Sequence, residues 1–340
     1  MNGARAPATV GADYRPRLGF LGVGWIGRHR LNAVAENGCA QIVSIGDENA
    51  EAATQAAAGI PQANVCSSLD ALLATRPDGV VIATPSGLHA QQAIASLEAG
   101  AAVFCQKPLA RTATETRTVV EAARRADRLL AVDFCYRHVN GVPRLRELIR
   151  EGELGQIYAL DLIFHNAYGP DKAWFYNRAQ SGGGCVMDLG IHLIDLALSV
   201  LDYPDVVHVE SRLYAQGALL DNATRQLEDY AVAQIEFNTG ATARLACSWR
   251  LPAGCDAVFE ASFYGAKGGA TIRNVNGSFY DFEVQRLRGN ARETLGTFPD
   301  DWGGRAVLAW AQRLGHNRHF DAQATQLTEI ARIVDAIYIN

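Results

Sequence analysis

The stretch Leu18-Gly19-Phe20-Leu21-Gly22-Val23-Gly24-Trp25-Ile26-Gly27 runs from a short apolar segment into three glycines spaced G-x-G-x-x-G. The apolar segment predicts a buried strand over 18–21, and the residues that follow predict a helix over 27–37. The glycines therefore sit at the turn between strand and helix. There they allow a tight turn, close approach of backbone N–H groups to a ligand, and close packing of helix on strand. The helix N-terminus adds partial positive charge. In a chain with 32 glycines the pattern alone is weak, and its placement is what strengthens it. A glycine turn that binds nothing is the competing reading.

Twenty residues after Gly27 stands Asp47, at the end of a second predicted strand over 41–45. A carboxylate at that place can accept both ribose hydroxyls of an adenosine and repels a 2′-phosphate, and Glu48 adds to the repulsion. Gly22, Gly24, Trp25, Ile26, Gly27 and Asp47 thus form a candidate dinucleotide site, with NAD favoured over NADP.

Outward from this unit the pattern repeats. Helices are predicted over 50–58, 68–74, 90–99 and 114–127, and strands over 79–83, 102–105 and 129–133, with Gly100 as a left-handed cap. Short apolar strands separated by helices imply a parallel sheet buried on both faces and a doubly wound, Rossmann-type fold. After about residue 138 the texture changes. A helix over 141–151 precedes strands over 157–164, 206–213, 230–237, 241–249, 257–264 and 279–287. One helical stretch over 185–200 interrupts them, and a terminal helix covers 320–337. This predicts a second, α/β domain with a large, mostly antiparallel sheet. The expected division is 17–138 and 139–340, in keeping with a length of 340 residues.

Composition narrows the function. Hydrophobic residues make up 49% and charged residues 20%, and the net charge is −5, without the basic clustering that nucleic-acid binding needs. Seven widely spaced cysteines with no CxxC pair read as reduced thiols in a cytoplasmic protein. The first ~15 residues, rich in Ala, Gly and Pro, read as poorly ordered and lack the apolar core of a signal peptide. No segment is expected to reach the ~20 apolar residues of a membrane span.

Three further segments carry candidate chemistry. Ala83-Thr84-Pro85 ends the third main strand, so Thr84 and Pro85 should flank the crevice; His89 joins them or caps the next helix. Gln106-Lys107-Pro108 follows the 102–105 strand, which aims Lys107 into the crevice unless it is a solvated surface residue. Gly182-Gly183-Gly184-Cys185-Val186-Met187-Asp188-Leu189-Gly190-Ile191-His192 places Asp188 and His192 at i and i+4 on one helix face. A carboxylate there would orient the imidazole, and the glycines would let cofactor or substrate come close. A structural pair or half of a metal site would look the same, but no further ligands stand at metal spacing, so no metal is expected. His165, Tyr168, Lys172 and Trp174 lie between a strand and the glycine run, where they could stack on or bond a polyhydroxylated ring or form an ordinary polar loop.

Taken together, the GVGWIG loop, Asp47, ATPSGLH, QKP and GGGCVMDLGIHLID resemble the glucose–fructose oxidoreductase/inositol dehydrogenase (Gfo/Idh/MocA) family, in order and spacing over nearly the whole chain. The resemblance implies that Lys107, Asp188 and His192 match that family's catalytic trio. It implies an open-faced second sheet used for homodimer or homotetramer contacts, and a sugar, cyclic polyol or derivative as substrate. Two departures stand out: Gln106 where the family has Glu, and Ser86 where it often has Asn. The expected reaction is NAD-dependent oxidation of a secondary alcohol, with His192 as base, Asp188 orienting it and Lys107 on the reacting oxygen. An NAD-binding sensor, or a redox-neutral lyase or hydrolase, is the alternative.

Overall fold

A computed structural model describes residues 14–221 and 226–339. The expectation for the N-terminal segment falls, through residue 13, outside the described residues; Tyr14 donates to Asp78 Oδ2 at 2.6 Å.

The first layer contains β1 (Arg17–Leu21), α1 (Trp25–Asn37), β2 (Gln41–Gly46), α2 (Ala50–Ala57), β3 (Asn64–Cys66), α3 (Leu69–Ala74), β4 (Gly79–Ile82), α4 (Ser86–Glu98), β5 (Ala102–Cys105), α5 (Ala113–Ala126) and β6 (Leu130–Val132). Its six strands are parallel in the order β3-β2-β1-β4-β5-β6. That is the doubly wound dinucleotide-binding order, in which the order of strand addition reverses beside the first strand. Period two explains the apolar runs. Leu18, Phe20, Val81 and Phe104 pack into one core, and Leu21, Val80, Ile82 and Val103 into the other, so both faces are buried. The edge strand β3 escapes sequence reading because only its last residue, Cys66, is buried.

The second layer contains α6 (Val142–Arg150), β7 (Ile157–Asn166), α7 (Arg178–Ser181), α8 (Ile191–Val200), β8 (Val206–Ala215), β9 (Ala218–Leu219), β10 (Tyr230–Phe237), β11 (Thr242–Ser248), β12 (Ala257–Gly265), β13 (Gly268–Asn274), β14 (Phe282–Arg288) and β15 (Ala291–Gly296). Nine strands run β15-β14-β13-β12-β7-β11-β10-β8-β9, antiparallel except for the β7–β11 pair. One face is buried and the other open, as the alternating burial of β8 and β10 records.

Two helices follow, α9 (Arg305–His316) and α10 (Gln326–Ile339). The chain crosses back at α9: Val307, Trp310 and Leu314 pack into the first sheet's core, with Trp310 5.6 Å from Phe104. The first sheet therefore takes part of its cover from the far end of the sequence.

The expected absence of any membrane-length segment needs correction. Arg178–Val200 forms a helical stretch with a mean hydropathy of 1.5, long and apolar enough to cross a membrane. Here 94% of its most apolar 18-residue window is buried inside the protein, and all ten residues of α8 are buried. Hydropathy alone does not separate a central core helix from a span.

Candidate active site

The two layers meet around a cavity of about 950 Å³, lined by the glycine turn, the ends of the first sheet's strands, the start of the central helical stretch and the inner face of β7. Gly22 has φ +87°, and its N–H donates to the Gly46 carbonyl at 2.8 Å. A Cβ on Gly22 would meet the Ala83 carbonyl oxygen at 2.5 Å, and one on Gly27 would collide with the Gly22 carbonyl oxygen. The fold itself demands those two glycines. A Cβ on Gly24 would meet nothing within 4 Å, so the packing of this chain does not itself require glycine there. Helix α1 opens there without any side-chain cap, leaving its first N–H groups to an anion.

Asp47 borders the same space. Its Oδ2 accepts from the Val23 N–H at 2.7 Å and its Oδ1 from the Asn49 N–H at 2.9 Å. Each oxygen keeps a lone pair for a sugar hydroxyl. Trp25, Ile26, Thr84 and Pro85 line the cavity, Trp25 with 67% of its surface exposed. An uncapped helix N-terminus, a glycine turn and a carboxylate with free lone pairs at the cavity edge fit a dinucleotide.

His89 also lines the cavity, but its ring braces the backbone. Nδ1 lies 2.7 Å from the Pro108 carbonyl oxygen and Nε2 2.7 Å from that of Thr84. Burial holds this imidazole below its ordinary pKa, partly offset by the two carbonyls. It does not cap α4, whose start has no side-chain cap.

At the chemical end, Lys107 Nζ donates to Asp188 Oδ1 at 2.7 Å and to the Asp188 carbonyl at 2.6 Å. Trp249 Nε1 donates to Asp188 Oδ2 at 3.0 Å. This corrects the anticipated Asp188–His192 pair. The backbone over Val186–Gly190 is a π-helical turn rather than an α-helix, so the α-helical alignment of i and i+4 does not hold. Asp188 instead turns to Lys107 and Trp249.

His192 is buried, and its Nδ1 has no hydrogen-bond partner among the described residues. Its ring packs edge-on against Tyr136, with centroids 5.0 Å apart, and against Phe134 at 6.5 Å. Burial, then the charges of Lys107 and Arg30, hold its pKa well below 6.5. A neutral imidazole facing the cavity can accept a proton.

The glycine run also serves the chain itself. A Cβ on Gly184 would collide with the Glu228 carbonyl oxygen, and one on Gly183 with the Tyr338 hydroxyl. The buried Glu228 carboxylate accepts from the N–H groups of Gly184 and Val186 at 3.2 and 3.0 Å, and from the Tyr338 hydroxyl at 2.8 Å. Glycine there admits a buried capping carboxylate, a role the local sequence does not reveal.

Tyr168, Lys172 and Trp174 line the cavity; His165 does not. Successive residues of a strand face opposite sides. Phe164 and Asn166 face the cavity, while His165 stacks on Tyr230 and lies 2.7 Å from the Ser248 hydroxyl on the other side. Sequence reading also missed Arg30, Tyr136, Tyr280 and Trp302, all in the lining. No motif marks them, because they come from four separate segments. Among the described residues no cluster of three or more His, Cys, Asp or Glu is arranged to hold a metal.

Residues 17–134 match the family model described as an oxidoreductase family with an NAD-binding Rossmann fold, and residues 142–271 match the GFO/IDH/MocA C-terminal domain. The chain belongs to the Gfo/Idh/MocA oxidoreductase family. It is 34% identical to D-glucoside 3-dehydrogenase of Escherichia coli (strain K12) over 211 residues, 59% of this chain and 60% of that one. It is 29% identical to inositol 2-dehydrogenase of Rhizobium meliloti (strain 1021) over 261 residues, 76% of each. The chain spans 54–60% of the length of the first three curated relatives it matches. The fold is also that of levoglucosan dehydrogenase solved with NADH, with a TM-score of 0.81, 22% identity, and 95% and 96% of the two chains covered.

Proposed function

We propose that this Gfo/Idh/MocA member is an NAD-dependent dehydrogenase that interconverts a secondary alcohol and a ketone on a sugar, a cyclic polyol or a derivative. The observation that carries the proposal is one cavity holding the glycine turn, Lys107 and a neutral His192. NAD, held by Gly22, Gly24, Gly27, Asp47 and the Thr84–Pro85 turn, would supply the hydride acceptor. His192 takes the hydroxyl proton. Lys107 donates a hydrogen bond to the same oxygen and stabilises charge developing on it. Asp188 balances Lys107 and, fixed by Trp249, aims its ammonium group. Tyr168 and Trp174 offer aromatic faces, and Lys172 a donor, to a polyhydroxylated ring. The anionic pair Asp47 and Glu48 favours NAD over NADP.

Seven free cysteines support a reducing, cytoplasmic setting, and the open face of the nine-stranded sheet supports a homodimer or homotetramer. Steady NADH formation in a screen of sugars and inositols with NAD and NADP tests the central proposal. Binding of NAD without turnover would favour a sensor, and transient NADH a redox-neutral lyase or hydrolase.

A further inference from the structure

A line of polar contacts ties the Lys107 turn to the helix that follows the glycine loop. Gln106 Oε1 accepts from the Lys107 N–H at 3.1 Å, and Gln106 Nε2 donates to Asp133 Oδ2 at 2.7 Å. The same Asp133 oxygen accepts from Arg30 Nε at 2.6 Å. The three side chains come from α1, the end of β5 and the end of β6. Asp133 is 0% exposed and Arg30 5%, and Arg30 and Gln106 both line the cavity. The position demands a particular chemistry. A neutral amide accepts from Lys107 and donates to Asp133 at once, whereas an ionised Glu is an acceptor only. It would set two carboxylates about as close as the present 2.7 Å contact. The amide at this turn thus has a partner 27 residues away in sequence.

We propose that Gln106 is a positioning residue: by bridging Lys107 to the buried Arg30–Asp133 ion pair, it fixes the turn that aims the Lys107 ammonium at the reacting oxygen. The kinetic consequence rests on the dehydrogenase reading; the bridge itself rests on the contacts alone. The other titratable groups acting on or acted on by Asp133 are Cys105, Cys135 and His138. Burial pushes both thiols up and the imidazole down, so all three stay uncharged around neutral pH.

Gln106→Glu, Asp133→Asn and the double variant test this in the full chain, with kcat followed against pH in saturating NAD and Tm followed against pH without cofactor. At low pH the introduced carboxyl is protonated and donates to Asp133 as the amide does, so Gln106→Glu should match wild type. A close carboxyl pair has one strongly raised pKa. As pH rises through it, kcat should fall by about 10²-fold, the scale of a small misplacement of a reacting group, and Tm should fall with it. Adding Asp133→Asn supplies an amide donor opposite the introduced carboxylate, removes the pH-dependent loss and returns kcat to within about tenfold of wild type.

If Gln106→Glu follows wild type in both measurements, or the double variant fares no better than the single, the bridge is overturned. If Tm responds and is rescued while kcat does not respond, the positioning role is overturned. A wild-type protein that turns over no sugar refutes the dehydrogenase reading instead, and the Tm pair then decides the bridge.

Discussion

The two ends of the cavity are built by different means. At the candidate dinucleotide end the cavity surface is mostly backbone: a glycine turn, an uncapped helix start, and one carboxylate held by two N–H groups. At the chemical end it is side chains: Lys107 from the end of β5, Asp188 and His192 from the central helical stretch, Trp249 from beyond β11, Tyr136 from the turn after β6. The first end depends on local chain geometry, which one contiguous motif specifies. The second depends on how separate elements dock, which no single motif can specify. Damage should follow the same division: substitutions at the first end should act on cofactor affinity, those at the second on turnover.

The sharpest way to break that division is to remove the chemical groups. Lys107→Met or His192→Ala should lower kcat by about 10²–10⁴, the range for a positioned proton acceptor or an electrostatic stabiliser. NAD affinity measured by calorimetry should stay within a few-fold of wild type. Full turnover in either variant would refute the assignment.

Next in size is a pair of glycine variants. Gly27→Ala forces a methyl against the Gly22 carbonyl and should destabilise the fold by about 1–3 kcal/mol while weakening NAD binding. Gly24→Ala meets only open space, so its Tm should match wild type even as NAD affinity drops. Unchanged NAD affinity in Gly24→Ala would show that the open space at Gly24 is not used by the cofactor.

The pH dependence separates the ends again. His192 is held neutral when folded, below the ordinary histidine value of ~6.5. The acid limb of kcat/KM should therefore lie below ~6.5. An unfolded histidine takes up a proton that the folded one resists, so the contribution of His192 to stability is full above ~6.5 and declines as pH falls toward the lower folded value. Lys107→Met removes a neighbouring positive charge and should raise the His192 titration midpoint, read by imidazole NMR. An unmoved midpoint would remove Lys107 from the causes of the shift.

Smaller effects follow. Asp47→Asn keeps an acceptor for the Val23 N–H but loses the charge, so preference for NAD over NADP should fall by about tenfold, or about 1.4 kcal/mol. His165→Ala, on the far side of β7, should change KM by less than about twofold. A larger change would return His165 to the site.

The candidate dinucleotide end was largely legible in the sequence as a set of residues that the fold brings to one cavity. Gly22, Gly24, Gly27 and Asp47 belong to one strand–turn–helix–strand unit, and backbone conformation sets their roles. Lys107 and His192 were legible as candidates because strand ends and an apolar helix point them inward. The partner of Asp188 was not, because a π-helical turn and the indole of Trp249 decide it. Nor was His165, whose face depends on which side of β7 the central helical stretch covers. Arg30, Asp133 and Gln106 meet across 103 and 27 residues of chain, and only the closed fold brings them together.

By itself the sequence determined the two-layer order of strands and helices, the glycine turn, and the residue types able to bind a dinucleotide and move a proton. Periodicity and glycine placement act over a few residues, so they can be read along the chain. The tertiary structure alone decided which charges neutralise one another and which carboxylate caps which helix. It also decided that α9 returns to cover the first sheet. Those outcomes depend on distances between segments far apart in the chain, and packing sets such distances only after the local elements have formed.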